Sequence, residues 1–368
     1  MSEVRPLQVG DLPAVAQLFQ RTFRDARKAP PASLVDYLRS LYLEAPDQDA
    51  QIASQVYVRP GGQVAGFIGV TALPMALDGR ALRAAVCGAL MVDDHDHDPL
   101  AGARLMRAFL AGPQDLSLSE TANATSTAMW RRSKGVVLPD YSFDWFRIIR
   151  PARFGLELAA SAFGPARLAA PLAAAADAAL SRRQAKSTAP GHPGKRHEDI
   201  VQAVDVDEDM LLELIPRFLV SYPLHPAWGR ESLRSVLRDA ARKADYGACV
   251  KCAVLGRGGE PVGLFIYHGL RGHIGRVLQI LASPGHEGAV FDSLSAHAAA
   301  AGLAGLRGRT QPRLLDALLG RPCFLRHTGS TVVHSRDPAH TAPFVEGRAF
   351  FNGLAGEGWT RLAGDAFS

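Results

Sequence analysis

Several short stretches of the 368-residue chain carry side chains suited to chemistry. Glu120 ends a predicted strand, where it could act as a general base or stabilise the start of the next helix. The run Asp93–Asp98 combines Asp and His, which ligate divalent metals, but it also fits a solvated loop, and we assign it no metal. Cys249 and Cys252 could form half of a zinc site, yet a second pair is missing, which favours a structural role.

The stretch from Cys87 to Ala111 predicts a strand, a loop and a helix in succession. A helix start offers unpaired backbone N–H groups and the positive end of the helix dipole, so a pyrophosphate fits there. The expected N–H donors are those of Leu100, Ala101, Gly102 and Ala103. The strand residues expected to hydrogen-bond an extended arm of the same ligand are Leu90, Met91 and Val92. One N–H group of that strand could also polarise a carbonyl.

Apolar periodicity and turn signals predict the elements that position these residues. The predicted elements are a strand at Val4–Val9, helices at Leu12–Arg27 and Ser33–Leu43, a hairpin at Ile52–Met75, a strand at Leu82–Val92, a helix at Leu100–Ala111, a strand at Asp115–Ser119, a helix at Ala122–Ser133 and strands through Tyr141–Ile149. This mixed alternation predicts an α+β layer fold with a partly antiparallel sheet.

The same order of patterns recurs in the second half of the chain. Val4–Val9 matches Val201–Val206, and Gly62–Ile68 matches Gly259–Phe265 at the same offset. Further on, at a slightly smaller offset, Thr121 matches Thr310. We therefore predict a duplication. Either copy could be the active one, and the N-terminal copy is favoured because more of its elements match.

The repeat and the segment between the copies predict the domain organisation. Ala152–Ala185 is rich in alanine with helical periodicity, broken near Gly164 and Pro165, and Lys186–Lys195 has the composition of a flexible tether. We expect an N-terminal domain at 1–150, a helical linker and tether at 151–198, and a degenerate C-terminal domain at 199–368.

Composition argues against several classes of protein. No run approaches the roughly 20 apolar residues that span a bilayer. The first 18 positions carry Glu3, Arg5 and Asp11, where a signal peptide needs an apolar run. The net charge is +5 and the pI about 9.2, but the cations are scattered without a basic block, so we expect no nucleic-acid partner. Four cysteines do not make a disulfide framework, and we expect a cytoplasmic protein with reduced thiols.

The run Cys87–Asp93, followed by a loop and Gly102–Met106, resembles the acyl-CoA-binding motif of the GNAT superfamily of acyltransferases. Glu120–Asn123, with Trp130 and Gly135 behind it, looks like the fifth strand and following helix of that family. The resemblance covers 4–149 and extends through the repeat to 201–362. It implies two GNAT-like domains, each a mixed, mainly antiparallel sheet flanked by helices.

The resemblance also implies an activity, in which an amine of a small molecule or peptide attacks the thioester of acetyl-CoA or another acyl-CoA. Glu120 would be the base, and Tyr141 could protonate the departing thiolate because the family's tyrosine position holds Trp130. His97 stands at the basic position of the family's phosphate loop, and Asn123 would position the donor or a water. We expect acceptor specificity to lie in loops such as 45–51 and 222–228; in the second of these, His225 and Trp228 either line a cleft or pack within the loop.

Two other functions fit the same resemblance. A non-catalytic binding module is favoured by the acidic run Asp93–Asp98, which opposes phosphate binding, and by Trp130. The third hypothesis is a transferase that takes aminoacyl groups from tRNA, and the lack of a Lys-rich surface argues against it.

Overall fold

Strands from both halves of the chain build each of two β-sheets. The computed structural model describes residues 2–93, 98–162, 170–187 and 200–367. They form two units that are interleaved along the chain. Unit 1 comprises Met1–Phe143, Tyr222–Ala240 and His327–Ser368, and unit 2 comprises Asp144–Ser221 and Ala241–Arg326. This division differs from the contiguous domains expected at 1–150 and 199–368, because each half contributes one or two strands to the sheet built mainly by the other.

The elements are as follows. The strands are β1 (Glu3–Pro6), β2 (Gln55–Val58), β3 (Val64–Leu77), β4 (Arg80–Val92), β5 (Leu116–Ala122), β6 (Val136–Val137), β7 (Phe143–Ile148), β8 (Ile200–Asp205), β9 (Leu224–Pro226), β10 (Ala248–Gly256), β11 (Pro261–Gly269), β12 (Ile274–Ala282), β13 (Gly305–Arg309), β14 (Cys323–His327) and β15 (Ser330–His334). The α-helices are α1 (Leu12–Phe23), α2 (Ala32–Tyr42), α3 (Ala101–Leu110), α4 (Ala124–Arg132), α5 (Pro151–Ala162), α6 (Ala170–Ser187), α7 (Glu208–Leu219), α8 (Arg230–Ala241), α9 (Glu287–Ala300), α10 (Leu315–Leu319) and α11 (Pro338–Val345).

The sheet of unit 1 has the strand order β1-β2-β3-β4-β5-β15-β6, and β9 pairs with β3 beside this path. Among the described strands of this sheet, β4 and β5 pair in parallel and the other pairs are antiparallel. Successive strand residues face opposite sides, so Phe67 packs with α1 and α2 while Ile68 packs with α3. Apolar helix faces therefore cover both sides of this sheet.

The sheet of unit 2 has the order β14-β7-β13-β12-β11-β10-β8, in which β12 and β13 are parallel. The pairs β7–β13, β11–β12, β10–β11 and β8–β10 are antiparallel. Its core gathers residues of these strands with Val290, Phe291 and Leu294 of α9. The expected α+β class, with two mixed and mainly antiparallel sheets flanked by helices, is confirmed. The two sheets share one strand pattern, and their origin by duplication stays a prediction.

The Ala-rich segment forms α5 and α6, where a helical linker was expected, and both helices belong to unit 2. The buried carboxylate of Asp177 in α6 accepts hydrogen bonds from the N–H groups of Ala152 and Arg153, at 2.8 and 3.0 Å, which joins the two helices. The expected break near Gly164 and the tether after residue 187 lie outside the described residues. No described helix has the length and apolarity needed to cross a membrane.

Candidate functional site

The parallel strands β4 and β5 of unit 1 separate part-way along their length. Their register pairs Ala84 with Leu116 and Val86 with Leu118, and the described pairing between them ends there. From Cys87 to Val92, β4 continues beside β3 alone. Backbone polar groups on the β5 side of this stretch are therefore available to a ligand. The opening contains Leu90, Met91 and Val92, which were predicted to bind the ligand arm.

A β-bulge lies at this opening. Gly69 pairs with Ala89 and Val70 with Cys87, so Gly88 is the extra residue. A Cβ atom at Gly88 would lie 3.8 Å from Glu357 Cγ and 4.0 Å from Tyr42 Oη. The bulge thus brings Glu357 and Tyr42 around one point of β4.

Glu120 lies near the end of β5 and is only 4% exposed. Its Oε1 atom accepts the N–H of Gly353 at 3.1 Å, and its Oε2 atom accepts those of Glu357 and Gly358 at 2.6 and 3.0 Å. Three backbone donors therefore hold this carboxylate against the segment 353–358. These contacts give Glu120 a positioning role, and its expected role as the base stays a prediction.

The carboxylate of Glu357 in turn accepts hydrogen bonds from the end of β5. Its Oε1 atom accepts the Ser119 hydroxyl at 2.9 Å and the N–H groups of Glu120 and Thr121 at 2.7 and 3.3 Å. Its Oε2 atom accepts the Thr121 hydroxyl at 2.7 Å. Burial, and then the nearby charge of Glu120, raise the pKa of Glu357 above its usual range, and the hydrogen bonds from Thr121, Glu120 and Ser119 oppose that rise.

Gly356 makes the close approach between the two carboxylate segments possible. A Cβ atom at this position would lie 2.1 Å from Glu120 Oε2, which is closer than any van der Waals contact allows. The backbone of 353–358 can therefore reach the Glu120 carboxylate only without a side chain at 356. The hydrogen bonds that join Glu120 to the segment of Glu357 therefore require a glycine at position 356.

Tyr42 supplies a hydroxyl to the same place. Its ring is buried edge-on against Phe67, and within the described part of the chain its hydroxyl has no hydrogen-bond partner. Burial and the nearby Cys87 and Glu357 raise the pKa of Tyr42. The hydroxyl therefore stays protonated and can donate a hydrogen bond.

The helix α3 begins at the far end of β4. Its N-cap residue Leu100 has an apolar side chain, and among the described residues no side chain caps the N–H groups of Gly102 and Ala103 in the first turn. Two carboxylates of the acidic run are paired with arginines. Arg59 forms an ion pair with Asp98, and Arg21 lies 3.3 Å from Asp93. These pairs reduce the repulsion that a phosphate would meet at this helix start.

The other sequence-predicted site residues have structural contacts or are not described. Tyr141 is buried and its hydroxyl donates to the Ala349 carbonyl at 2.7 Å, so that proton is already committed. Asn123 caps α4 by accepting the Ser126 N–H at 2.8 Å. Trp130 is fully buried against Phe109. His97 lies outside the described residues.

A cavity of about 50 Å³ in unit 1 adjoins the segment that carries Glu357. Both loops that were expected to set acceptor specificity line it, through residues 45–48 and through Trp228. Its walls also include Gly356 and Trp359. Asp47 accepts the Ser232 hydroxyl at 2.5 Å, and burial raises the pKa of Asp47. By contrast His225 lies in β9, where it pairs with β3, and its Nδ1 atom contacts the Tyr222 carbonyl at 2.7 Å.

Unit 2 differs at the corresponding positions. Because Thr310 matches Thr121, the position of Glu120 is taken by Arg309, whose guanidinium lies 3.7 Å from Asp144. At the start of α9, Arg321 donates to the Gly288 carbonyl at 2.8 Å and pairs with Asp292. The carboxylate of Glu120 in unit 1 thus has a cation as its counterpart in unit 2.

A scan against protein-family models gives no match for the chain, and no curated protein matches it by sequence. Solved structures do match. The GCN5-related N-acetyltransferase from Kribbella flavida is 13% identical, with a TM-score of 0.52 over 92% of this chain and 72% of that one. The GCN5-related N-acetyltransferase from Anabaena variabilis is 11% identical, with a TM-score of 0.57 over 92% and 74%.

A third similar structure is a conserved protein of unknown function from Enterococcus faecalis, described as a probable N-acyltransferase. It is 9% identical, with a TM-score of 0.56 over 91% of this chain and 73% of that one. At such low identity these matches establish the fold rather than the activity. The chain has the GNAT fold, built as two GNAT-like units.

Proposed function

We propose that unit 1 transfers an acyl group from an acyl-CoA thioester to an amine, with Glu357 as the base. The observation that carries this proposal is the position of Glu357. Its carboxylate has a raised pKa and lies beside the β4 bulge, where the sheet of a GNAT fold opens. A base whose pKa is raised toward neutrality accepts a proton more readily than an ordinary carboxylate.

The donor would lie in the opening between β4 and β5. The backbone of Leu90–Val92 would bind the pantetheine arm, and the N–H groups of Gly102 and Ala103 would bind the pyrophosphate. The ion pairs of Arg59 with Asp98 and of Arg21 with Asp93 support this fit, because they offset two negative charges close to that site.

The acceptor would enter from the cavity beside Gly356. Asp47 offers a carboxylate, while Trp228 and Trp359 offer aromatic surface, a combination that attracts an amine in its cationic form. The amine must lose that proton before it can attack. We therefore expect Asp47 to bind the acceptor through a cationic amino group. The attacking nitrogen is then either a second, neutral amino group of the acceptor or the same group after it has lost its proton.

The step itself is a direct transfer. The amine nitrogen attacks the thioester carbon, a C–N bond forms and the C–S bond breaks. The proton of the amine passes to Glu357 Oε2, which accepts only the Thr121 hydroxyl among the described groups and so retains a free lone pair. The leaving thiolate takes a proton from solvent. The Tyr42 hydroxyl would donate a hydrogen bond to the reacting groups without losing its proton.

Glu120 is a positioning residue in this scheme. Its three backbone contacts fix the segment that carries Glu357, and its charge raises the pKa of that base. Tyr141 and Asn123 would serve the local structure, through the carbonyl of Ala349 and the cap of α4.

The test compares the protein with the variant Glu357→Gln and, as a matched control, with the variant at the exposed Glu44, Glu44→Gln. Release of free CoA thiol from acetyl-CoA is followed with a panel of primary amines, and acyl-CoA binding is measured by titration calorimetry at low salt. We expect Glu357→Gln to lower kcat about 10²- to 10⁴-fold with unchanged acyl-CoA affinity. Full activity in this variant would refute the assignment of the base. Absence of CoA binding at millimolar concentration would instead favour a non-catalytic binding module.

A further inference from the structure

Unit 2 brings together three side chains of the kinds that bind transition metals. Asp205 ends β8, Cys252 lies directly opposite it on β10, and His297 projects from α9. Cys252 Sγ is 3.3 Å from Asp205 Oδ1 and 3.8 Å from His297 Nε2. All three donor atoms lie within 4.8 Å of one another. The sequence offered no sign of this group, because its members are spread over almost a hundred residues.

The distances suit one tetrahedral ion. Zinc bonds of about 2.3 Å to sulfur and 2.0–2.1 Å to nitrogen or oxygen place sulfur roughly 3.6 Å from each of the other ligands. The two measured distances from Cys252 Sγ lie on either side of that value. The sulfur distances therefore suit a shared ion, and the donor atoms of Asp205 and His297 lie within 4.8 Å of each other.

The surroundings also fit a metal site. Tyr267 Oη lies 3.0 Å from His297 Nδ1, which fixes the imidazole so that Nε2 faces the thiol, as outer partners of metal-bound histidines do. Cys252 is fully buried, whereas Asp205 is exposed and gives the ion a route from solvent. Among the residues that the structure describes, no Lys or Arg forms an ion pair with Asp205.

We propose that Asp205, Cys252 and His297 form a binding site for a divalent transition metal ion, with zinc as the best fit. Three protein ligands leave the fourth position to a water molecule. Binding converts the thiol of Cys252 to a thiolate and releases one proton to solvent. The ion joins β8, β10 and α9 and stabilises unit 2. This site is independent of the acyl transfer proposed for unit 1.

Cys249 provides the internal control. It lies on the same strand three residues away, where it pairs with His268 of β11 and stands outside the three-residue group. On a strand, residues three apart face opposite sides, so a metal held by Cys252 cannot also bind Cys249. A serine at position 249 should leave the site unchanged.

The test uses the full chain after removal of metal with a chelator. It is titrated with Co²⁺, whose bond to a thiolate gives a charge-transfer absorption, and then with Zn²⁺ as a competitor. We expect one equivalent of Co²⁺ to bind with this absorption, Zn²⁺ to displace it, and Zn²⁺ to raise the midpoint of thermal unfolding. Cys252→Ser should abolish the absorption, and Asp205→Asn should weaken binding at least tenfold, while Cys249→Ser behaves like the parent chain.

Asp205 is exposed, so its variant keeps the proposal testable if the buried Cys252→Ser protein fails to fold. Three results would overturn the proposal: no stoichiometric binding, an absorption that persists in folded Cys252→Ser, or unchanged affinity in Asp205→Asn. In the first two cases the group is a metal-free hydrogen-bonded cluster, in which the thiol of Cys252 donates to Asp205. In the third case Asp205 is not a ligand of the ion.

Discussion

Replacing Glu120 by glutamine tests whether its carboxylate anchors the segment that carries Glu357. The amide oxygen can take the place of Oε2 and keep the N–H groups of Glu357 and Gly358, but the amide NH₂ then faces the N–H of Gly353. One lost bond to a buried charged group costs about 1.5–3 kcal/mol. The two remaining bonds lose their charge assistance, at about 1 kcal/mol each. Relief of repulsion with Glu357 recovers part of this cost.

We therefore expect Glu120→Gln to lower the free energy of unfolding by about 3 kcal/mol, measured by urea denaturation as a shift of the midpoint at constant slope. The exposed control Glu44→Gln should change it by less than about 0.5 kcal/mol. A loss below about 1 kcal/mol for Glu120→Gln would contradict the anchoring role.

The same variant also tests how the charge of Glu120 acts on the base. Glu357 must be deprotonated to accept a proton, so kcat/KM falls as the pH drops through the pKa of Glu357. Removing the like charge of Glu120 lowers that pKa, so the acid limb of the profile should move to lower pH. Loss of structure alone would reduce activity without moving the limb, and an unmoved limb would show that Glu120 does not act on the base through its charge.

Three further substitutions probe the neighbouring groups. Gly356→Ala places a Cβ atom 2.1 Å from Glu120 Oε2 and should cost about 1–3 kcal/mol in urea unfolding, whereas Gly10→Ala, with no atom within 4 Å of its Cβ, should be almost neutral. Asp47→Asn should raise KM for cationic amines about tenfold in steady-state assays and leave kcat unchanged, and a fall in kcat alone would contradict an acceptor-binding role. Tyr42→Phe should lower kcat about tenfold or more while stability stays within about 0.5 kcal/mol, because its hydroxyl has no hydrogen-bond partner among the described groups.

The local elements around the site could be predicted from the sequence because their signals are local. The helix predicted at Leu100–Ala111 is found at Ala101–Leu110, and the strand predicted at Leu82–Val92 is found at Arg80–Val92. Apolar periodicity and turn residues act over fewer than about twenty positions, so they survive in a single sequence. The opening at Leu90–Val92 followed from those elements together with the family resemblance.

The pairing of distant strands could not be predicted in the same way. The strand patterns through Tyr141–Ile149 read as the end of the first half, yet β7 joins the sheet of unit 2, and β15 takes a place beside β5 in unit 1. Alternation along a strand fixes which face is buried but not which strand it pairs with. Two contiguous domains were therefore the simplest expectation, whereas the structure has two units that are interleaved along the chain.

The carboxylate pair shows why the position of a site is easier to predict than the role of its residues. Glu120 was expected at the end of a strand and lies near the end of β5. Its role, however, depends on Glu357, which follows β15 in the chain and contacts Glu120 in the folded structure. The one local signal for that partner is the run Gly353–Gly358, in which glycines surround a single acid. Each of the two carboxylates accepts a backbone N–H from the segment of the other, at 2.6 and 2.7 Å, so neither is positioned until both segments have folded. With Glu357 as the proposed base, activity depends on the folding of two segments that are far apart in the chain, and neither segment alone indicates which of the two carboxylates takes the proton.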